Sequence, residues 1–248
     1  MTKRLLHRQT RLVHYLTSGG AIFGDPDHRP ADPVLWGIDR HLLRMEARFS
    51  FEKRMEKIAA VLPRTFDLLG AQREILIRQF IEAHPPIHIG RLENARQFCD
   101  FLMVGDRREP LMPPYLPDIA ACEFAVATAR FRAEESTPDE QHSRMDGRMP
   151  PRFIRRSPST VLLRTGYDIR PIFESASEAI DPVARDVGLA IVATAAGHPP
   201  AIFELPPPVF DLLALFDSWA DASKFDNWKD AAEIIAELVK AGLLEVRR

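Results

Sequence analysis

The tract RAEESTPDEQHSRMDGRMPP, residues 132 to 151, divides this chain into halves that follow different periods. It has no apolar period and is rich in Glu, Asp, Ser, Arg and Pro, the composition of an exposed interdomain linker. Helical spacing dominates before it and strand patterning after it. A mainly α chain with a small α+β domain is therefore expected: an N-terminal helical bundle over 1–131, a linker over 132–152, and a C-terminal domain over 153–248. With 248 residues the chain is long enough to bury two such cores.

In SFEKRMEKIAAVLP, the residues Phe51, Met55, Ile58 and Leu62 recur at three- and four-residue steps, which predicts a helix with one apolar face. Leu35, Ile38, Leu42, Met45 and Phe49 do the same one segment earlier and predict another helix. AQREILIRQFIEAHP ends before Pro85, and ENARQFCDFLMVG keeps Ala95, Phe98 and Leu102 in phase with Gly105 as a stop. A fifth helix is expected from PPYLPDIAACEFAVATAR, with Asp118 as N-cap after Pro117. Ile119, Cys122, Val126 and Ala129 form one stripe of it, Phe124 and Phe131 a second. Glu123 falls close to that first stripe, so its carboxylate is expected to be partly buried in a structural ion pair with an arginine of a neighbouring helix, because an unpaired buried charge is costly.

Beyond the linker, STVLLRTGYDI is β-rich. GLAIVATAAGHPPAIFELPPP holds two apolar runs, Leu189 to Thr194 and Ala201 to Leu205, separated by Gly197, His198, Pro199 and Pro200, which signals a β-hairpin. VFDLLALFDSWA and WKDAAEIIAELVKAG then read as helices, the second stopped by Gly242 before a terminal strand in GLLEV. A hairpin beside two helices has the outline of a winged-helix-like module.

Hydrophobic residues make up 46% and charged residues 27% of the chain, which excludes wholesale disorder. No apolar run approaches the roughly 20 residues of a membrane helix, and the basic N-terminus MTKRLLHRQTRLVHYLTSGG lacks the continuous apolar centre of a secretory signal. A cytoplasmic protein with no membrane partner is the expectation. Cys99 and Cys122 each fall within an apolar helical pattern and are read as reduced, buried thiols.

Motifs for chemistry are sparse. The chain holds no Gly-rich phosphate loop, Gly-x-Ser-x-Gly elbow, His-Glu-x-x-His or Cys-x-x-Cys. His84 and His88 are separated by Pro85 and Pro86, which break the helix that would bring two imidazoles to one metal. No catalytic residue and no metal ligand is assigned. RMPPRFIRRSPS, in contrast, gathers Arg148, Arg152, Arg155 and Arg156 around Phe153 and Ile154, a cluster suited to phosphates or an acidic peptide. β-rich segments follow it, and an exposed sheet edge captures an extended peptide as an added strand. Arg152, Arg155, Arg156, Arg164 and Tyr167 are therefore the candidate peptide-binding residues.

The succession VLPRTFDLLG, LIRQFIEAHPP, ARQFCDFLM and PPYLPDIAACEFAVATA resembles the N-terminal domain of a bacterial family long described as DNA-binding. VLLRTGYDI, GLAIVATAAGHPPAIFEL and the closing GLLE resemble the C-terminal domain of the same family, so the likeness runs from about Leu35 to the end. Glu123 matches the acidic position of the family's fifth helix. Members are now understood as partner subunits of multinuclear non-heme iron-dependent oxidative enzymes. In methanobactin biosynthesis, the best-known case, such a pair converts cysteines of a ribosomally made precursor peptide to oxazolone and thioamide groups. The resemblance implies a heterodimer in which this chain carries no cofactor, the iron sits in the partner enzyme, and the precursor's leader segment is presented to it. Copper is the metal that a methanobactin-like product would serve.

The competing reading is a DNA-binding transcriptional regulator. A formal charge of −2 gives no global attraction to phosphate backbones. VFDLLALFDSWADAS is acidic and apolar, and WKDAAEIIAELVKAG sets Lys229 and Lys240 against Asp230, Glu233 and Glu237, a poor recognition helix. Nucleic acid is accordingly disfavoured as a partner.

Overall fold

The structure, a computed structural model, describes residues 2–24, 33–104, 110–135, 153–174, 181–193, 200–222 and 231–247. Among them are ten α-helices and six strands, so the protein is mainly α with a small α+β part, as expected. The chain divides into two units, 1–120 and 121–248, and the division falls inside the seventh helix. No helix among the described residues is long and apolar enough to cross a membrane.

In the first unit, α1 (Thr2–Leu16) and α2 (Gly19–Phe23) precede a long α3 (Arg40–Val61), followed by α4 (Pro63–Leu68), α5 (Arg73–Ala83), α6 (Arg91–Met103) and the start of α7 (Leu116–Glu135). Asp39 caps α3 by accepting from the backbone N–H groups of His41 and Leu42, satisfying two otherwise orphaned donors. The two helices expected across residues 35–62 are thus largely one. A single continuous helix must bury a single stripe, and that stripe is Leu43, Ala47, Arg54, Ile58 and Val61. Leu42, Met45 and Phe49 lie about half a turn away and are 46–53% exposed, against the sequence expectation. Phe51, Met55, Ile58 and Leu62 are buried or half-buried as expected.

Aromatic rings fill the centre of this unit. Phe80 meets Phe98 edge-on at 5.0 Å between centroids, and Phe66 and Phe101 lie 5.5 Å from Phe98 and Phe80 respectively. Ala95, Phe98 and Leu102 are 0–1% exposed, so the expected phase of α6 holds. The fifth expected helix is α7, but it starts at Leu116, three residues ahead of the Ile119 that an Asp118 cap would put first. Pro117 needs no intrahelical donor in a first turn, and Asp118 therefore lies within that turn instead of capping it. α7 also runs on to Glu135, so the first four residues of the expected linker are helical. Residues 136–152 lie outside the described part of the structure.

The second unit contains two three-stranded antiparallel sheets, ordered β5-β1-β6 and β2-β3-β4. Its strands are β1 (Phe153–Arg156), β2 (Thr160–Tyr167), β3 (Ala184–Val192), β4 (Ala201–Leu205), β5 (Ala220–Asp221) and β6 (Leu244–Arg247); its helices are α8 (Arg170–Glu174), α9 (Pro207–Ala214) and α10 (Ala231–Lys240). The expected hairpin is β3–β4, closing with Val192 opposite Ala201. Thr194 and residues 197–199 of its predicted turn lie outside the described residues. α10 ends in a Schellman turn: Gly242 has φ +74°, its N–H donates to Val239, and the Leu243 N–H donates to Leu238. Leu238 and Leu243 also join the core that Ile154, Ala190, Val192, Phe210, Leu213 and Phe216 build.

Gly188 on β3 is required by a close approach. A Cβ there would stand 2.8 Å from the Phe210 ring, whose position in the core leaves it little room to move. Gly188→Ala is expected to cost about 1–2 kcal/mol through overpacking, read as a lower thermal midpoint. An unchanged midpoint would show that the α9 ring does not rest on the strand.

Candidate functional site

β2 is an edge strand: within its sheet, among the described residues, it pairs only with β3. Its eight residues are β-branched, apolar or aromatic apart from Arg164 and Gly166, which suits them to a pleated surface. The register runs from Thr160 opposite Val192 to Arg164 opposite Gly188, and an irregularity falls between Thr165 and Tyr167. Behind it, β3 is covered on both faces: Ala190 and Val192 belong to the core, and Val187, Leu189 and Ile191 are 0–2% exposed. The edge is therefore presented by a rigid, buried strand.

The structure separates the candidate peptide-binding residues. Arg152 lies outside the described residues, as does Arg148. β1 is the central strand of its sheet, flanked by β5 and β6, so Arg155 and Arg156, expected to form part of a peptide-binding cluster, do not stand on an open edge. Arg155 faces Glu245 across β6, donates to its carboxylate at 2.7 Å, and lies 4.6 Å over the Trp219 ring. Arg156 pairs with Asp217, and its backbone N–H donates to the Phe216 carbonyl at 2.7 Å. Their side chains are only 20% and 18% exposed. Both are internal ties of the second unit.

Arg164, on the β2 edge strand, is different. Its side chain is 64% exposed, stacks 4.5 Å over Phe210 and donates to Asp211 at 2.7 Å. Tyr167, at the end of the same strand, is half-buried. These two residues, on one strand and three positions apart, are the part of the expected set that the edge carries.

At the far end of β2 a four-residue ionic knot clamps the sheet. Arg170 at the start of α8 donates through Nε and Nη2 to both oxygens of Asp168, at 2.9 and 2.8 Å. Arg185 on β3 donates to Asp168 at 2.5 Å and to both oxygens of Glu204 on β4, at 2.7 and 2.9 Å. Arg170 also pairs with Glu204. Hydrogen bonds from Arg170 and then Arg185 hold the Asp168 carboxyl down at about 2, and bonds from Arg185 lower Glu204 as well. Two cations balance two carboxylates, so the knot joins three elements without leaving net charge.

The first unit holds a second polar cluster that sequence reasoning missed. Arg54, a charge that would by default be given to solvent, is 7% exposed. It donates to Asn94 Oδ1 at 2.9 Å, the His84 carbonyl at 2.8 Å and Gln97 Oε1 at 2.8 Å, and it lies 4.6 Å over the Phe80 ring. Burial without a carboxylate lowers its pKa to about 10, so it remains charged at neutral pH. A signal was present: Arg54 interrupts one apolar stripe, and Asn94 and Gln97 interrupt another at helical spacing. Glu123 is 5% exposed, the burial expected of it. Cys99 and Cys122 are buried free thiols.

Neither His84 nor His88 is arranged for a metal. His84 stacks on Phe80 at 5.6 Å, and His88 Nδ1 accepts from the Gly90 N–H at 2.9 Å. Among the described residues, no group of three or more His, Cys, Asp or Glu could hold a metal ion. No family model matches the chain, and no curated protein sequence matches it.

Proposed function

We propose that this chain is a non-catalytic, cytoplasmic subunit that pairs with a multinuclear non-heme iron oxidative enzyme and presents the leader of a ribosomally made precursor peptide to it. The observation that carries the peptide half of this reading is the β2 edge, because an extended segment gains affinity from main-chain hydrogen bonds along such an edge and specificity from alternate side chains. Arg164 and Tyr167 supply an exposed guanidinium with further N–H donors and an aromatic face to that added strand. Arg155 and Arg156 hold the neighbouring sheet and act indirectly. Cysteine modification of the methanobactin kind is the chemistry assigned to the partner's iron.

The regulator reading is disfavoured on charge. Arg155, Arg156 and Arg164 each already carry a carboxylate of this chain, which removes the excess positive potential that phosphates require. α10 bears Glu233 in its first turn and a single cation, Lys240, in its last.

Binding of a synthetic leader peptide, taken from the precursor encoded with this chain, is expected to slow amide hydrogen exchange in residues 160–167. Arg164→Glu is expected to weaken that binding about tenfold, or about 1.4 kcal/mol. Peptide binding that leaves exchange in β2 unchanged would place the leader elsewhere.

A further inference from the structure

Ile89 and Ile87 are the most exposed large apolar side chains among the described residues, at 83% and 78%. Both stand on the short connection between α5 and α6, residues 84–90. Apolar side chains on a loose loop would fold back onto the protein; these are held out by a braced backbone. Arg54 from α3 donates to the His84 carbonyl at 2.8 Å, and Asn94 from α6 donates to the carbonyls of His88 and Gly90 at 2.9 and 2.8 Å. Lys57 donates to the Ile89 carbonyl itself at 2.8 Å. Pro85 and Pro86 fix two further φ angles. The buried Arg54–Asn94 pair thus serves the loop as well as the bundle.

We propose that this loop is a preformed anchor, with Ile87 and Ile89 entering an apolar pocket of a partner protein. A braced loop loses little conformational freedom on docking, and a small apolar centre within a polar rim is where interface energy concentrates. The rim here carries two exposed cations, Lys57 and Arg91, beside the two isoleucines, so the pocket that fits it is bordered by carboxylates. A bilayer is the weaker occupant, since two branched side chains carry less apolar surface than the single acyl chain that gives only marginal membrane attachment. The inference rests on the partner-subunit reading in requiring a protein partner, and it locates the contact.

The test uses the full chain in its native cells with p-benzoylphenylalanine incorporated at position 87, and at the exposed position 215 of the other unit as control. The protein captured from position 87 alone is identified, purified and titrated against the wild-type chain and the Ile87→Asp, Ile89→Asp double variant. Binding weakened at least about tenfold, with an unchanged thermal midpoint, is the expected result. Capture no stronger than at 215, capture of a second copy of this chain, loss by the double variant of binding to vesicles of phosphatidylcholine and phosphatidylserine instead, or equal binding by both chains would each overturn the anchor. An iron-free captured protein that meets the expected result would contradict the iron-enzyme reading and leave the anchor standing. An iron enzyme that binds the double variant unchanged would do the reverse.

Discussion

Arg54→Met is expected to destabilise the first unit by about 3 kcal/mol, since buried polar groups left unsatisfied cost about 1–3 kcal/mol each and relief of the buried charge offsets part of that. The substitution keeps much of the side-chain volume, so the loss is polar. Three acceptors, Asn94 Oδ1, Gln97 Oε1 and the His84 carbonyl, lose a charged donor in a site closed to water. Lysine cannot replace it: a single ammonium does not span three acceptors on two elements, and Arg54→Lys should recover only part of the loss. The depressed pKa fixes the sign of the charge effect. Since burial lowers Arg54 to about 10 from 12.5, the charged state is disfavoured by folding at every pH below that value, and the hydrogen bonds must offset it. Thermal unfolding followed by circular dichroism measures the effect, and a double-mutant cycle with Asn94→Ala should show strong coupling. A loss below about 1 kcal/mol would mean that the network adds little to the packing of Phe80 and Phe98.

Acid should weaken the second unit through Asp168. Its folded pKa, about 2, lies below the ordinary value of 3.8, so the stability it contributes is present above pH 4 and is lost as pH falls from there through about 2. That contribution is about 2 kcal/mol, because each pKa unit is worth about 1.4 kcal/mol and partial solvent access trims the total. Asp168→Asn should remove it at neutral pH and flatten the acid limb of the stability profile. Glu204 moves in the same direction, so Arg185→Met, which strips a donor from both carboxylates while Arg170 keeps its own bonds, should also flatten the limb in part. Identical pH profiles for Asp168→Asn and the parent chain would show that the knot is not a stabilising one.

Periodicity made α5, α6, most of α7 and the β3–β4 hairpin legible, because in each most apolar residues face a core, although Phe131 of the second stripe on α7 is exposed. It misread α3 where two apolar lines run along one helix: Leu42, Met45 and Phe49 have the spacing of a buried stripe, but Leu43 and Ala47 are in line with Ile58 and Val61. Arg54 was hidden for a related reason. A charge is assigned to solvent by default, and only matching polar interruptions on α6 betray a buried partner set. The ionic knot was illegible because Asp168, Arg185 and Glu204 meet through strand register, which a single sequence does not disclose. β1 was read only as an arginine cluster, since a strand's neighbours are also a matter of topology: β6, which pairs with it, lies at the other end of the domain. The edge position of β2 is known for the same reason only from the fold.

The central claim is a subunit role, and co-purification tests it most directly. The tagged chain is expressed beside its chromosomal neighbours, and the bound material is identified and assayed for iron. A stoichiometric complex with an iron-containing oxidative enzyme is the predicted result. A chain that purifies alone and free of iron, and that shifts a DNA fragment from its own locus at physiological salt, would contradict it.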